Sequence, residues 1–369
     1  MSFQDVIAHF GITDPIVAKE EICSGNINRT YLVTVQEDDG AQKQYIVQRI
    51  NSFVFKHPDE VMTNILAVTE HIKKKLVEKY GSYDRRVLSF LKAEDGKPYY
   101  YTTSTKHFFR IYEYVYNTVA HNMVHTPNQF YEAGREFGEF QGLLADFPAD
   151  TLTEIIPDFH NTPKRYEAFH EAIENDAAGR VAEMQEEIRF LLDRYDDCGR
   201  IVNSLNAGII PRRVTHNDTK INNVLFDTET GKAVCVIDLD TVMPGSSLYD
   251  FGDAVRFGAS TAAEDERDLS KVSLDLNLFE QFTRGFIKGT DGLLTDEEIR
   301  LLPYGAYIMT LELAVRFMTD YLNGDKYFKV DFEDHNLVRT RNQMRLLQDM
   351  EAKWTQMCEI SERCRLEAQ

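Results

Sequence analysis

Apolar positions alternate with polar ones through the first third of the chain and recur every three or four residues after it. Two kinds of structure are therefore predicted in series. Residues 1–20 read as a short helix and a turn. Glu21-Ile-Cys23 enters a tight loop, Ser24-Gly-Asn-Ile-Asn-Arg-Thr30, and Tyr31-Leu-Val-Thr-Val35 leaves it as a strand. Asp38-Asp-Gly40 turns the chain into a third strand, Tyr45-Ile-Val-Gln-Arg-Ile50. Pro58 opens a helix over 58–79, where a first-turn proline is at home. Its Val61, Ile65, Val68, Ile72 and Leu76 form one apolar stripe. Further strands are expected at 86–91, 99–103 and 108–112, and Glu113-Tyr-Val-Tyr-Asn117 leads out of the sheet. From residue 127 the period changes to 3.6, with Phe130, Ala133, Phe137, Gln141 and Leu144 on one face. Pro148, Pro157 and Pro163 interrupt the pattern, and long helices are predicted at 179–207, 264–288, 296–323 and 334–367. The fold class is α+β: a small antiparallel-sheet lobe over 1–115 and a larger, mainly helical lobe over 116–369.

One stretch breaks both periods. Val214-Thr-His-Asn-Asp-Thr-Lys-Ile-Asn-Asn-Val-Leu-Phe226 is followed by Val234-Cys-Val-Ile-Asp-Leu-Asp240, which gives H-x-D-x-K-x-x-N, a strand, the turn Asp227-Thr-Glu-Thr-Gly231, and a second strand ending in Asp. Such a hairpin would bring Asn223, entering one strand, close to Asp238, leaving the other. This order of parts is that of the catalytic loop of protein-kinase-like phosphotransferases. Phosphoryl transfer asks little of a protein: a carboxylate to accept or orient the acceptor proton, and oxygen ligands for Mg²⁺ against the nucleotide phosphates. Asp218 suits the first task, and Asn223 and Asp238 the second. Asp240 either supports them or meets a second Mg²⁺. Lys220 can neutralise the transferring group as a point charge. His216 is expected to pack under the loop. Asp250 and Asp253, in Asp250-Phe-Gly-Asp253, are expected to cap a helix or brace the loop rather than hold metal.

Composition narrows the field. The 369 residues carry a net charge of −19, which repels phosphate backbones and argues against nucleic-acid binding. Five scattered cysteines without a C-x-x-C pattern fit neither a disulfide scaffold nor a zinc site, so a reducing cytoplasm is expected. The amino terminus lacks a basic, apolar leader and no apolar run is long enough to span a bilayer, so no membrane partner is expected. The anticipated assembly is a monomer or small homo-oligomer. Arg316 is the lone base in Glu312-Leu-Ala-Val-Arg-Phe-Met318 and either binds substrate or pairs with a carboxylate such as Glu312. Tyr327 either stacks on a sugar face or packs in the core.

His216-x-Asp218, Asn223 and Asp238 resemble the aminoglycoside phosphotransferase and choline kinase group, a branch of the protein-kinase-like fold. Ile27-Asn-x-Thr-Tyr-Leu32, Met243-Pro-Gly-Ser246, Arg256-Phe-Gly-Ala-Ser-Thr261 and His335-Asn-Leu-Val-Arg-Thr-Arg341 extend the likeness to the N-acetylhexosamine 1-kinases. The resemblance implies ATP- and Mg²⁺-dependent phosphorylation of a sugar's anomeric hydroxyl, with Asp218 as base, Asn223 and Asp238 on the metal, and Arg316 and Tyr327 near the sugar. It also implies that the first hairpin, with Gly25, Asn26 and Asn28, lies over the phosphates, and that the backbone at Glu113 and Val115 pairs with adenine. The sequence departs from the wider kinase pattern at two points. Gly25 stands alone where protein kinases have three glycines. The third strand ends Val47-Gln-Arg, with no phosphate-pairing lysine. Gln48 takes the lysine's place, or Arg49 does if the register shifts by one. Glu60 and Glu70 are both candidates to partner that side chain. An aminoglycoside, choline, homoserine or another sugar as acceptor, and an inactive nucleotide-binding module, are the competing readings.

Overall fold

The computed structural model describes residues 2–22, 27–104 and 106–368. The chain divides into two compact units that are discontinuous in sequence: Met1–Asn122 with Asp146–Ile156 and Val224–Met243, and Met123–Ala145 with Pro157–Asn223 and Pro244–Gln369.

In the first unit, helix α1 (Phe3–Ala8) starts at Ser2, whose hydroxyl and the Asp5 carboxylate form a reciprocal cap. Strands β1 (Ile16–Ile22), β2 (Arg29–Gln36), β3 (Gln42–Ile50), β4 (Tyr100–Thr102) and β5 (His107–Glu113) make an antiparallel sheet in the order β1-β2-β3-β5-β4. Val33, Val35, Tyr45, Val47 and Ile111 share one face and bury against Val6, Ile7, Phe10 and Ile12 from α1 and the turn after it. Helix α2 (Pro58–Tyr80) buries the predicted stripe and ends at Gly81, whose φ of 78° only glycine adopts freely.

Two expectations for this unit fail for physical reasons. Strand β1 begins at Ile16 rather than Glu21, because it is an edge strand exposed along most of its length. Its pairing with β2 is carried by backbone, so no apolar alternation marks it. Residues 86–91 are not a strand. They touch β5 through a single bridge, Phe90 to Tyr112, and two flanking hydrogen bonds, Leu91 N to Ile111 O and Glu113 N to Ser89 O. Buried Val87 and Leu88 explain the apolar run without a ladder. A second sheet joins β6 (Thr118–Ala120) to the predicted hairpin of β8 (Val224–Asp227) and β9 (Ala233–Val236), with Val224 opposite Val236. Between the hairpin strands, the Asp227 carboxylate accepts from Glu229 N, Thr230 N and Arg85 Nη2.

The second unit is helical apart from short strands such as β7 (Arg213–Thr215). Helix α3 (Pro127–Leu143) crosses α8 (Leu276–Gly289) on glycines. A Cβ at Gly134 would lie 2.5 Å from the Phe282 carbonyl, and one at Gly138 would run into the Phe286 carbonyl. Helix α7 (Ser247–Gly258) meets α9 (Asp296–Leu322) in the same way, since a Cβ at Gly305 would stand 2.5 Å from the Leu248 carbonyl and one at Gly252 would strike the Gly305 carbonyl. Phe251, Phe279, Phe282 and Phe286 fill the space beside these crossings. Helix α9 is buried nearly all round, as a central helix must be.

Three predicted helices are shorter or broken. The stretch 179–207 is α5 (Gln185–Leu192) and α6 (Arg200–Asn206), after α4 (Thr162–Asn175). Buried Ile188, Leu191, Cys198 and Ile201 keep helical spacing across the gap, which is why the sequence reads as one helix. Asp196, Asp197 and Gly199, all poor helix formers, open it. Helix α8 begins at Leu276, not 264, because Asp275 caps it by accepting from Asn277 N and Leu278 N. The last helix divides into α10 (His335–Ala352) and α11 (Trp354–Ala368) at Lys353, whose ammonium is held by the Asp349 carboxylate and the Leu274 carbonyl.

Candidate active site

In the helical unit, β7 delivers the chain into the loop that carries Asp218. Asn217 holds a left-handed backbone (φ 65°), which Asn tolerates better than most residues. Carboxylates on α7 satisfy several of the loop's N–H groups. Asp250 accepts from His216 N (2.9 Å) and Asn217 N (2.7 Å) and is met by Gln141 Nε2 (2.6 Å). One turn later Asp253 accepts from Thr219 N (3.1 Å) and pairs with Arg256. Both aspartates brace the loop, as expected from the sequence. His216 is buried against Phe137 and Phe140, and its Nδ1 accepts from Asp218 N.

The working groups project from this frame. Lys220 Nζ lies 2.7 Å from Asp218 Oδ1, and the two side chains keep 35% and 27% of their exposure. Asn223 Nδ2 donates to the Asp218 carbonyl (2.8 Å) and to Oδ2 (3.1 Å). An amide fixed through its nitrogen presents its oxygen on the other side, a hard donor of the kind Mg²⁺ takes. Burial alone would raise the Asp218 carboxyl, but the Lys220 ammonium, with help from His216 and Asn223, holds it below its ordinary value. The Asp218 carboxylate in turn raises Lys220 against the effect of burial. At neutral pH the loop therefore carries an ionised carboxylate beside an ionised ammonium.

A second cluster touches the same loop. Glu312, fully buried on α9, accepts from His160 Nδ1 (3.0 Å) and Thr162 Oγ1 (2.9 Å), and His160 Nε2 is 3.4 Å from the Asn217 carbonyl. Arg316 leans toward Glu312 (3.9 Å) and also reaches the Tyr327 hydroxyl (3.4 Å), so both roles foreseen for it are geometrically open. Its guanidinium lies over Phe159 and Phe328. Tyr327 is 71% exposed and is no core residue. Its loop is fixed by buried Asp320, whose carboxylate accepts from Lys326 N, Tyr327 N, Phe328 N and Asn336 Nδ2. Burial, and then the charge of Arg316, lower the Arg165 guanidinium, while Glu312 and Asp158 oppose them.

In the sheet unit, Asp238 follows β9 in a left-handed conformation (φ 59°, ψ 59°) and leads into a tight turn over Leu239–Thr241. Asp240 is 3% exposed. One of its oxygens is paired with Arg110 Nη1, and the other accepts from Asn28 Nδ2 (2.5 Å). Arg110 Nε donates to Gln48 Oε1 (2.8 Å), its register partner across β3 and β5, and Gln48 Nε2 donates to Thr30 Oγ1. Gln48 is thus buried beside a cation and a carboxylate, while Arg49 takes the opposite face and is half exposed. Glu70 pairs with Lys73. Glu113 ends β5 with an exposed side chain, and the Val115 carbonyl accepts from Thr118 Oγ1. Gly25 and Asn26 lie outside the described residues.

The sequence assigned no site role to Arg110, His160 or Gln141. Arg110 was nonetheless marked, as the lone base in the apolar run Phe108-Phe-Arg-Ile-Tyr112. Among the described residues no three His, Cys, Asp or Glu side chains gather into a metal-holding group. Nor is any described helix long and apolar enough to cross a membrane.

A family model described as the phosphotransferase enzyme family matches residues 20–275. Among solved structures, a microcompartment-associated aminopropanol kinase matches with a TM-score of 0.63 at 17% identity, over 96% of this chain and 97% of its own. An aminoglycoside phosphotransferase from Alicyclobacillus acidocaldarius matches with a TM-score of 0.59 at 12% identity, over 98% and 97%. A spectinomycin phosphotransferase in complex with ADP and spectinomycin matches with a TM-score of 0.52 at 14% identity, over 98% and 97%. At such identities the likeness is one of fold, and the fold is the α+β, protein-kinase-like architecture expected from the sequence.

Proposed function

Because the chain belongs to the phosphotransferase enzyme family, we propose that it transfers the γ-phosphoryl group of ATP to the anomeric hydroxyl of an N-acetylhexosamine, GlcNAc or GalNAc. The product is the sugar 1-phosphate. The observation that carries the chemistry is the Asp218 carboxylate held by Lys220 and Asn223 on a loop whose N–H groups are clamped by Asp250 and Asp253. Asp218 accepts the hydroxyl proton as the sugar oxygen bonds to the γ-phosphorus and the bond from that phosphorus to the β–γ bridging oxygen breaks. ADP leaves, and the proton passes from Asp218 to solvent. Lys220 offsets the charge on the equatorial oxygens. Asn223 Oδ1 and the Asp238 carboxylate are the oxygens that would hold Mg²⁺, which supplies charge neutralisation at the phosphates. No Ser or Cys nucleophile with an activating base is needed.

The neutral sugar is supported by the resemblance of the motifs and by charge. Arg165 and Arg316 share one corner with the buried Glu312, and that corner touches the Asp218 loop through His160. Such a corner opposes a cationic acceptor and leaves an N-acetyl sugar unpenalised. Tyr327, exposed beside Arg316, offers a face for a sugar ring.

The test is ADP release with ATP and Mg²⁺ over GlcNAc, GalNAc, glucose, galactose, an aminoglycoside, choline and homoserine, followed by the acid lability of the product. Turnover on an N-acetylhexosamine to an acid-labile phosphate is expected. Turnover on a cationic acceptor alone overturns the substrate and keeps the chemistry. Silence across the panel from protein that binds ATP favours the inactive module.

A further inference from the structure

We infer that Arg110 is the positioning residue of the Asp238 turn, and that it works through Asp240, which serves as its anchor rather than as a metal ligand. The inference rests on Asp238 being a metal ligand and needs nothing of the acceptor.

Both Asp240 oxygens are already engaged. Arg110 Nη1 takes one and Asn28 Nδ2 (2.5 Å) the other, and the Arg110 and Asp240 side chains are 2% and 4% exposed. As a ligand to Mg²⁺, Asp240 would have to share an oxygen already held by a buried guanidinium or by Asn28, which sets the ion's positive charge beside that of Arg110. The turn, in contrast, needs an anchor. Asp238 sits at φ 59°, ψ 59°, a left-handed conformation that Asp enters more readily than most residues. The side chain two residues on is tied into the sheet by a charged pair, which fixes the peptide planes on either side of Leu239 and with them the direction of the Asp238 carboxylate.

The tie is itself secured. Arg110 Nε is held by Gln48 on β3, and Gln48 by Thr30 on β2. Asn28 Oδ1 accepts from Asn51 N (2.9 Å). The cation missing from the end of the third strand is therefore supplied one strand over, opposite Gln48, and it faces the Asp240 carboxylate. This explains why an uncharged Gln48 is compatible with an active chain: its amide orients Arg110.

Mn²⁺ binding in the presence of ADP, followed by electron paramagnetic resonance, tests the assignment without turnover. Arg110→Met alone strands a buried carboxylate and can unfold the protein, so Arg110→Lys and the neutral pair Arg110→Met with Asp240→Asn carry the test. Both are expected to weaken Mn²⁺ binding about tenfold or more, the usual loss for a residue that orients a ligand. Metal-free ADP binding, measured beside it, should fall less than Mn²⁺ binding, because the Asn28 and Gln48 ends of the tie, which the sequence places near the phosphates, are left unsubstituted. Unchanged Mn²⁺ affinity in both folded variants overturns the inference. So does a folded Asp240→Asn variant that loses Mn²⁺ while Arg110→Lys keeps it, because Asp240 would then be a ligand. Asp238→Asn is the control for the premise. If it too leaves Mn²⁺ binding unchanged, the metal reading of Asp238 fails; if it weakens binding while the Arg110 variants do not, only the present inference fails.

Discussion

Replacing Lys220 with methionine removes an ammonium 2.7 Å from Asp218 Oδ1 and keeps most of the aliphatic stem. An opposite charge at such a distance lowers a carboxyl by about one to three pH units. The pair is about a third exposed, so solvent screens part of that effect. The sign follows from the competition at the carboxyl. Burial raises Asp218, and Lys220 is the largest influence that lowers it. With Lys220 gone, His216 and the Asn223 hydrogen bond oppose burial alone, and the carboxyl moves back up. Asp218 must be ionised to take the acceptor proton, so activity is lost as pH falls through its folded value. The acidic limb of log kcat/KM is expected to move to higher pH in Lys220→Met, and kcat at neutral pH to fall by about 10²-fold as transition-state charge goes unmatched. Stability follows the same sign. In the wild type a depressed carboxyl stabilises the fold above its unfolded value, and that contribution is lost as pH falls toward the folded one; the variant should show less of this loss. Initial rates of ADP release against pH, with the first acceptor that turns over, measure the limb. The ¹³C shift of the Asp218 carboxyl, followed in nucleotide-free protein, measures the ionisation directly. An acidic limb and a carboxyl titration that both stay where they are in Lys220→Met would refute the claim that Lys220 keeps Asp218 ionised.

Asp250→Ala strands three donors, the His216 and Asn217 N–H groups and the Gln141 amide. At about 1–3 kcal/mol for each unsatisfied buried group, a loss of at least ~3 kcal/mol in urea unfolding is expected, with kcat down by about 10²-fold from a displaced loop. Gly138→Ala gains up to ~1 kcal/mol of helix propensity but drives a methyl into the Phe286 carbonyl, so a net loss of roughly 2 kcal/mol is expected. Gly142→Ala, with its nearest obstacle at 3.1 Å, should cost clearly less in the same unfolding series. Asp320→Asn puts an amide N–H against backbone donors of 326–328, and should raise KM for the acceptor about tenfold while KM for ATP stays put, as steady-state kinetics will show.

What the sequence disclosed depended on how local each signal was. Helix α2 was legible to within a residue because its stripe, its first-turn Pro58 and its terminal Gly81 all act within the helix. The Asp218 loop was legible because its polar residues interrupt apolar strands at fixed spacing, and bracing was one of the two roles read for Asp250 and Asp253, beside capping a helix. Strand β1 was hidden because an exposed edge imposes no apolar rhythm. The break between α5 and α6 was hidden because the apolar residues keep step across it. Arg110 drew no notice, although its lone charge in an apolar strand is the same sign that drew attention to Arg316. Its partner, Asp240, lies 130 residues away in sequence, and no window of local pattern spans such a pair.

The glycine crossings have a consequence for how this sequence can change over generations. At Gly252 the neighbour that forbids a side chain is the Gly305 carbonyl, and at Gly305 it is the Leu248 carbonyl. Every amino acid carries that carbonyl. A crowded side chain can be relieved by trimming its neighbour, so two positions can drift together, each excusing the other. Here no neighbour can be trimmed. These sites offer no partner for a compensating mutation, and a lineage can leave them only by shifting whole helices.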